Sequence, residues 1–77
     1  MKLKIDEEAD ALHLELVDVP VVESEEVAPG VIVDYDDANQ VVGIEVLHLS
    51  KRPHPINLLD FQFQTSPKKQ VPAAPEA

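Results

Sequence analysis

Residues 30–49 read GVIVDYDDANQVVGIEVLHL, and the fold follows from how this stretch is parsed. Two β-branched runs, Val31-Ile32-Val33 and Val41-Val42-Gly43-Ile44-Glu45-Val46, flank Asp36-Asp37-Ala38-Asn39-Gln40. Val and Ile suit a pleated, half-buried surface, whereas Asp and Asn bond nearby backbone groups and favour turns. Asn39 tolerates the left-handed conformation that a short hairpin loop needs at one position. The pattern predicts an antiparallel hairpin that turns within Asp36–Gln40 with Asn39 at positive φ. In its second strand Val42, Ile44 and Val46 share one face. Val41, Glu45, Leu47 and Leu49 share the other, which is too apolar to stand freely in water and calls for a cover.

Upstream, Leu3 and Ile5 alternate with Lys2 and Lys4, and Leu12, Leu14 and Leu16 alternate with His13 and Glu15. A period of two on both sides of Asp6-Glu7-Glu8-Ala9-Asp10 predicts a first hairpin. Pro20 interrupts the extended run 17–22, because it has no N–H to give a ladder. Glu23-Ser24-Glu25-Glu26 reads as a solvated acidic connector, with Val27 as its anchor to the core. The predicted core is Leu12, Leu14, Val31, Val33, Val42, Ile44 and Val46. The fold expected is a mainly β protein, a small antiparallel sheet of two sequential hairpins (about four strands).

Downstream of Ser50 the character changes. Pro53-His54-Pro55 cannot continue a central strand. Residues 56–63, INLLDFQF, carry both phenylalanines and alternate at Leu59, Phe61 and Phe63, which fits an extra C-terminal strand. A short helix started by Pro55 is the other reading. From Thr65 the chain has three of its seven prolines and no apolar period. The domain expected is 1–63, with 64–77 a flexible Pro-rich tail.

At 77 residues the chain is one small domain. Such a chain buries only about 60% of its unfolded surface, so a core of this size often needs disulfides, metals or partners. There is no cysteine, which removes disulfides and fits a reducing cytoplasm, and no signal-peptide pattern or membrane-length apolar run is read. Self-association is then the expected source of added stability. A homodimer is expected, with Leu47, Leu49, Ile56, Leu58, Leu59, Phe61 and Phe63 at its interface; folding back onto the same subunit is the competing arrangement for 56–63.

Charge is unevenly divided. Residues 1–50 hold thirteen Asp or Glu against Lys2 and Lys4, net −11, while residues 51–77 are net +2. The acidic part repels phosphate backbones and anionic lipid and attracts a basic protein. No nucleic acid is expected as a partner of the acidic half, and no membrane as a partner of the chain.

The order of short motifs carries a resemblance. Asp6 with Ala9-Asp10-Ala11-Leu12, Ser24 with Glu26-Val27, Pro29-Gly30-Val31 with Val33-Asp34-Tyr35-Asp36, and Gly43-Ile44-Glu45-Val46-Leu47 together resemble the small bacterial proteins grouped as domain of unknown function 2283. The likeness covers residues 1–50. Asn39 departs from it, standing near where many members have glycine. The resemblance implies a small, mostly β domain and brings no activity, cofactor or catalytic residue. Genes of this kind look like neighbours of small toxin-like proteins, which suggests an antitoxin-like role.

The residues supply few constellations for chemistry. Asp34, Asp36 and Glu45 are the candidate metal ligands, at positions 1, 3 and 12 of a calcium-type loop. Ala38 and Asn39 then occupy positions 5 and 6, where a ligand and a glycine are wanted, so turn chemistry explains these residues better. His13 and His48 could meet across neighbouring strands, and Asp10 and Glu45 could face each other in a cleft, yet no nucleophile has a base beside it. Ser24 and Ser50 read as turn or cap residues. No cofactor and no catalytic role is expected. The expected function is an acidic protein-interaction module, an antitoxin-like partner of a small basic protein. The alternative is a self-associating structural or regulatory domain, with metal binding a distant third.

Overall fold

The computed structural model describes residues 1–68 and contains β1 (Lys2–Asp6), β2 (Ala11–Glu15), β3 (Glu23–Ala28), β4 (Val31–Tyr35), β5 (Val41–Val46) and one 3₁₀ turn, Leu49–Lys51. The strands form a single antiparallel sheet in the order β1-β2-β5-β4-β3. Both expected hairpins are present, β1–β2 and β4–β5. They meet at a central β2–β5 seam in which Leu12 lies opposite Val46 and Leu14 opposite Ile44.

The β4–β5 reversal turns as its residues predict. Asp36 Oδ1 accepts from the N–H groups of Ala38 and Gln40, each at 2.9 Å. The Asn39 N–H donates to the Asp36 carbonyl at 3.1 Å, and Asn39 has φ 61°. Asn39→Gly should therefore be neutral or slightly stabilising in chemical denaturation. Asn39→Val should cost on the order of 1 kcal/mol, because a branched Cβ resists this region. Equal stabilities for the two variants would refute the turn assignment. In the β1–β2 turn Asp6 Oδ1 accepts from the Ala9 N–H at 3.1 Å, and Asp10 takes φ 55°.

Four expectations are corrected. The acidic stretch from Glu23 is not a solvated connector but the edge strand β3, paired with β4 from Glu23↔Tyr35 to Glu26↔Ile32. Val27 lies at a register shift in that strand and is exposed rather than anchored. Residues 56–63 are neither strand nor helix: Asn57 Oδ1 accepts from the Leu59 N–H at 3.0 Å, and the Asp60 N–H donates to the Asn57 carbonyl at 3.2 Å. Such an Asx turn diverts the backbone from a ladder, and that local bond outweighs the apolar alternation. Finally, of the predicted core only Val42 is fully buried. Its buried companions are Ala11 and Leu49, and the other six predicted core residues are half-buried.

Register explains the half-burial. Residues opposite one another in an antiparallel pair project to the same face. One face thus carries the rows Leu3–Leu14–Ile44–Val33 and Ile5–Leu12–Val46–Val31. The other carries Lys4–His13–Glu45–Ile32–Glu26 and Lys2–Glu15–Gly43–Asp34–Ser24. A domain needs a second layer to close an apolar face. Among the described residues the layer over the apolar face is partial: residues 56–61 lie beside its β1–β2 half, leaving a groove of about 360 Å³ lined by Met1, Leu3, Leu12, Leu14, Ile56 and Phe61. The tail expected over 64–77 falls mostly outside the described residues.

Candidate functional site

On the polar face one group of side chains is built with care. Ser24 Oγ donates to Asp34 Oδ1 at 2.6 Å, and His13 Nε2 lies 3.2 Å from Asp34 Oδ2. Asp34 is 9% exposed, the one buried charged residue among the described residues. These three residues come from β3, β4 and β2, and β5 runs between the last two. The contact across β5 is possible because Gly43 occupies the intervening position. A Cβ there would sit 2.8 Å from Asp34 Oδ2 and 3.1 Å from His13 Nε2. Glycine inside a strand weakens it, and here it marks the close approach of two side chains.

Chemically the cluster is a tie rather than a nucleophile. Ser24 gives its proton to a carboxylate and has no hydrogen bond to the imidazole, so nothing in the geometry activates its oxygen. Both carboxylate oxygens are engaged, which satisfies a charge that burial would otherwise penalise. The bonds link β2, β4 and β3 on one face and hold the acidic edge strand in register.

A second tie closes the end of the sheet. The Asp10 carboxylate accepts from the Ser50 N–H at 3.1 and 3.2 Å and from Ser50 Oγ at 2.7 Å. The Leu49 N–H donates to the Asp10 carbonyl at 3.0 Å, and His48 takes φ 55° where the chain bends into the 3₁₀ turn. Ser50 is a turn residue, one of the two roles its sequence context predicts: it lies within the 3₁₀ turn, whose N-cap position is His48. Asp10 holds this turn and is not paired with Glu45 in a cleft.

The remaining candidates are dispersed. Asp34 belongs to the serine–histidine cluster, Asp36 organises the β4–β5 turn, and Glu45 stands opposite His13 in the β2–β5 ladder. Among the described residues no three His, Cys, Asp or Glu side chains are grouped to hold a metal ion. His48 lies near Gly30, its Cδ2 3.8 Å from where a Cβ would stand, and His13 is engaged with Asp34 instead. Of the expected interface, Leu49 is only 2% exposed and is packed within its own chain, a correction. Leu47 and Leu58 are half-buried, Ile56 is exposed at the groove, and Leu59, Phe61 and Phe63 are 93%, 65% and 73% exposed.

Sequence reasoning missed the Ser24–Asp34–His13 cluster. Its members lie 10 and 21 residues apart, and only register unites them. The interior glycine of β5 was the available signal. The acidic edge was visible as a charge run but not as a strand. Every residue of β3 is exposed, Glu23, Glu25 and Glu26 among them. Among the described residues no helix is long and apolar enough to cross a membrane.

A family model described as "Protein of unknown function (DUF2283)" matches residues 2–50, which span all five strands and end at Ser50 of the second tie. No curated protein and no solved structure matches the chain.

Proposed function

The chain belongs to the DUF2283 family of proteins of unknown function, so its role must be argued from its own surfaces, and we propose that it is a non-catalytic, acidic protein-interaction module whose partner is a basic protein. The observation that carries this reading is β3. It is a sheet-edge strand, exposed along its whole length, with three glutamates in four positions. An open edge offers backbone donors and acceptors to an added strand, and charge selects which strand is accepted. The other edge, β1, carries Lys2 and Lys4, so the two borders differ in sign. The Ser24–Asp34 bond ties the acidic edge to the neighbouring strand from within the sheet. Sequestering a small basic protein in this manner is an antitoxin-like role, exercised in the cytoplasm.

The test is a titration of the full chain with a synthetic extended peptide of alternating lysine and valine, followed by amide chemical shifts. Shifts concentrated on residues 22–28 and abolished by high salt are expected, since exposed charges are screened within about 3 Å at 1 M. The triple variant Glu23→Lys, Glu25→Lys, Glu26→Lys should weaken binding at least tenfold. Purification from the native host with wild type and this variant then identifies the protein that only the wild type retains. Binding that ignores both salt and charge reversal would refute the proposal.

The second reading, a self-associating domain with no charged partner, is favoured by the half-buried rows of the apolar face. It predicts no peptide shifts on β3 at any salt concentration.

A further inference from the structure

We propose that the apolar face is closed by a second copy of this chain, with residues 56–63 of each copy forming part of the shared core. The inference concerns the face opposite the cluster and does not depend on a basic partner.

Area and charge argue for this occupant. At strand spacing near 4.8 Å and a rise near 3.4 Å per residue, the two apolar rows of β1, β2, β5 and β4 cover roughly 260 Å². A stable interface needs about 800 Å² from each partner. The rows alone fall short by more than half. Phe61 and Phe63 are exposed at 65% and 73%, and a fully buried aromatic side chain contributes roughly 150–250 Å². At those exposures face and segment together come to roughly 450–600 Å² per copy, which approaches the lower end of stable interfaces, and neither does so alone. A second copy supplies both at once through a two-fold axis, each face receiving the partner's aromatic residues.

Charge distribution permits this despite the net charge of −9. The apolar rows contain no ionisable group until they reach Glu25 on β3. Glu15, Glu26, Asp34 and Glu45 project to the opposite face, so where two copies meet the carboxylates left are Asp60 beside the groove and Glu23 and Glu25 at the β3 margin. The segment is also suitably tethered. Pro53-His54-Pro55 separates it from the last tie at Ser50, and a short hinge favours exchange of an element between copies.

Light scattering on the full chain across a concentration series should give twice the 8.5 kDa chain mass at micromolar concentration. The double variant Phe61→Ser, Phe63→Ser alters side chains exposed within the single chain, so its fold should survive. Its dissociation constant should rise at least tenfold. Val33→Glu, on the part of the face that residues 56–61 leave open, should give a folded monomer by circular dichroism and scattering. If Val33→Glu unfolds, the phenylalanine variant alone decides. The wild-type chain remaining at 8.5 kDa up to about 1 mM would overturn the proposal. So would a dimer whose affinity the phenylalanine variant leaves unchanged. Glu26→Lys, whose side chain projects to the polar face, should weaken binding of the basic peptide and leave the mass unchanged, which separates failure here from failure of the basic-partner reading.

Discussion

Leu49→Ala should lower stability by roughly 2–5 kcal/mol, the range for emptying a fully buried leucine site. A domain this small holds a comparable reserve, so the variant should be largely unfolded at 37 °C. Leu49 is 2% exposed and is placed by bonds from both its own N–H and that of Ser50 to Asp10. The left-handed backbone at His48 turns it inward. Two controls fix the interpretation. Leu47→Ala removes a half-buried side chain and should cost less, while Leu59→Ala, at 93% exposure, should stay within about 0.5 kcal/mol of wild type in the single chain. Thermal melts followed by far-ultraviolet circular dichroism, under conditions where the chain is monomeric, provide the comparison. A melt of Leu49→Ala that overlays Leu59→Ala would show that Leu49 is not the keystone its burial implies.

Gly43→Ala is the second large effect, and its sign runs against propensity. Alanine in a strand interior normally gains about 0.5–1 kcal/mol over glycine. Here the new methyl would stand 2.8 Å from Asp34 Oδ2 and 3.1 Å from His13 Nε2. Asp34 must swing away, and the bonds to Ser24 and His13 are lost or lengthened. Hydrogen bonds to a charged group contribute about 1.5–3 kcal/mol each, so a net loss of about 1–3 kcal/mol is expected. A double-mutant cycle supplies the check: with Asp34 already replaced by Ala, Gly43→Ala should become neutral or stabilising. If Gly43→Ala stabilises the wild-type background as well, the close approach is not what keeps glycine there. Amide exchange should also quicken along β3, since the cluster is its side-chain link to the centre of the sheet.

How legible the fold was depended on which side of each strand was buried. Val31–Val33 and Val41–Val46 declared themselves because their apolar alternation is strong and Asn39 marks the turn between them. Leu12, Leu14 and Leu16 did so more quietly. Periodicity read from apolar residues is blind to β3, whose Glu23-Ser24-Glu25-Glu26 is polar on both faces. Its pairing is fixed by backbone bonds to β4 and by Ser24, neither of which leaves an alternating trace. Strand order was equally hidden, because nothing local says that β2 pairs with β5. At 56–63 the alternation was real, yet Asn57 offered the backbone a nearer partner. The cluster on the polar face depended on register across four strands, and only the glycine at 43 hinted at it.

The strand order also sets a timetable. The β1–β2 hairpin and the β3–β4–β5 meander each form from near neighbours, with turns of a few residues. The seam between them joins Leu12 to Val46 and Asp10 to Ser50, across more than thirty intervening residues. An isolated two-stranded hairpin is marginal in water, and closing a long loop is slow compared with forming a local turn. The first hairpin is therefore expected to gain its stability only when β5 is in place to pair with it, so that a chain ending before Val41 should show no protected amides in β1 and β2 by hydrogen exchange.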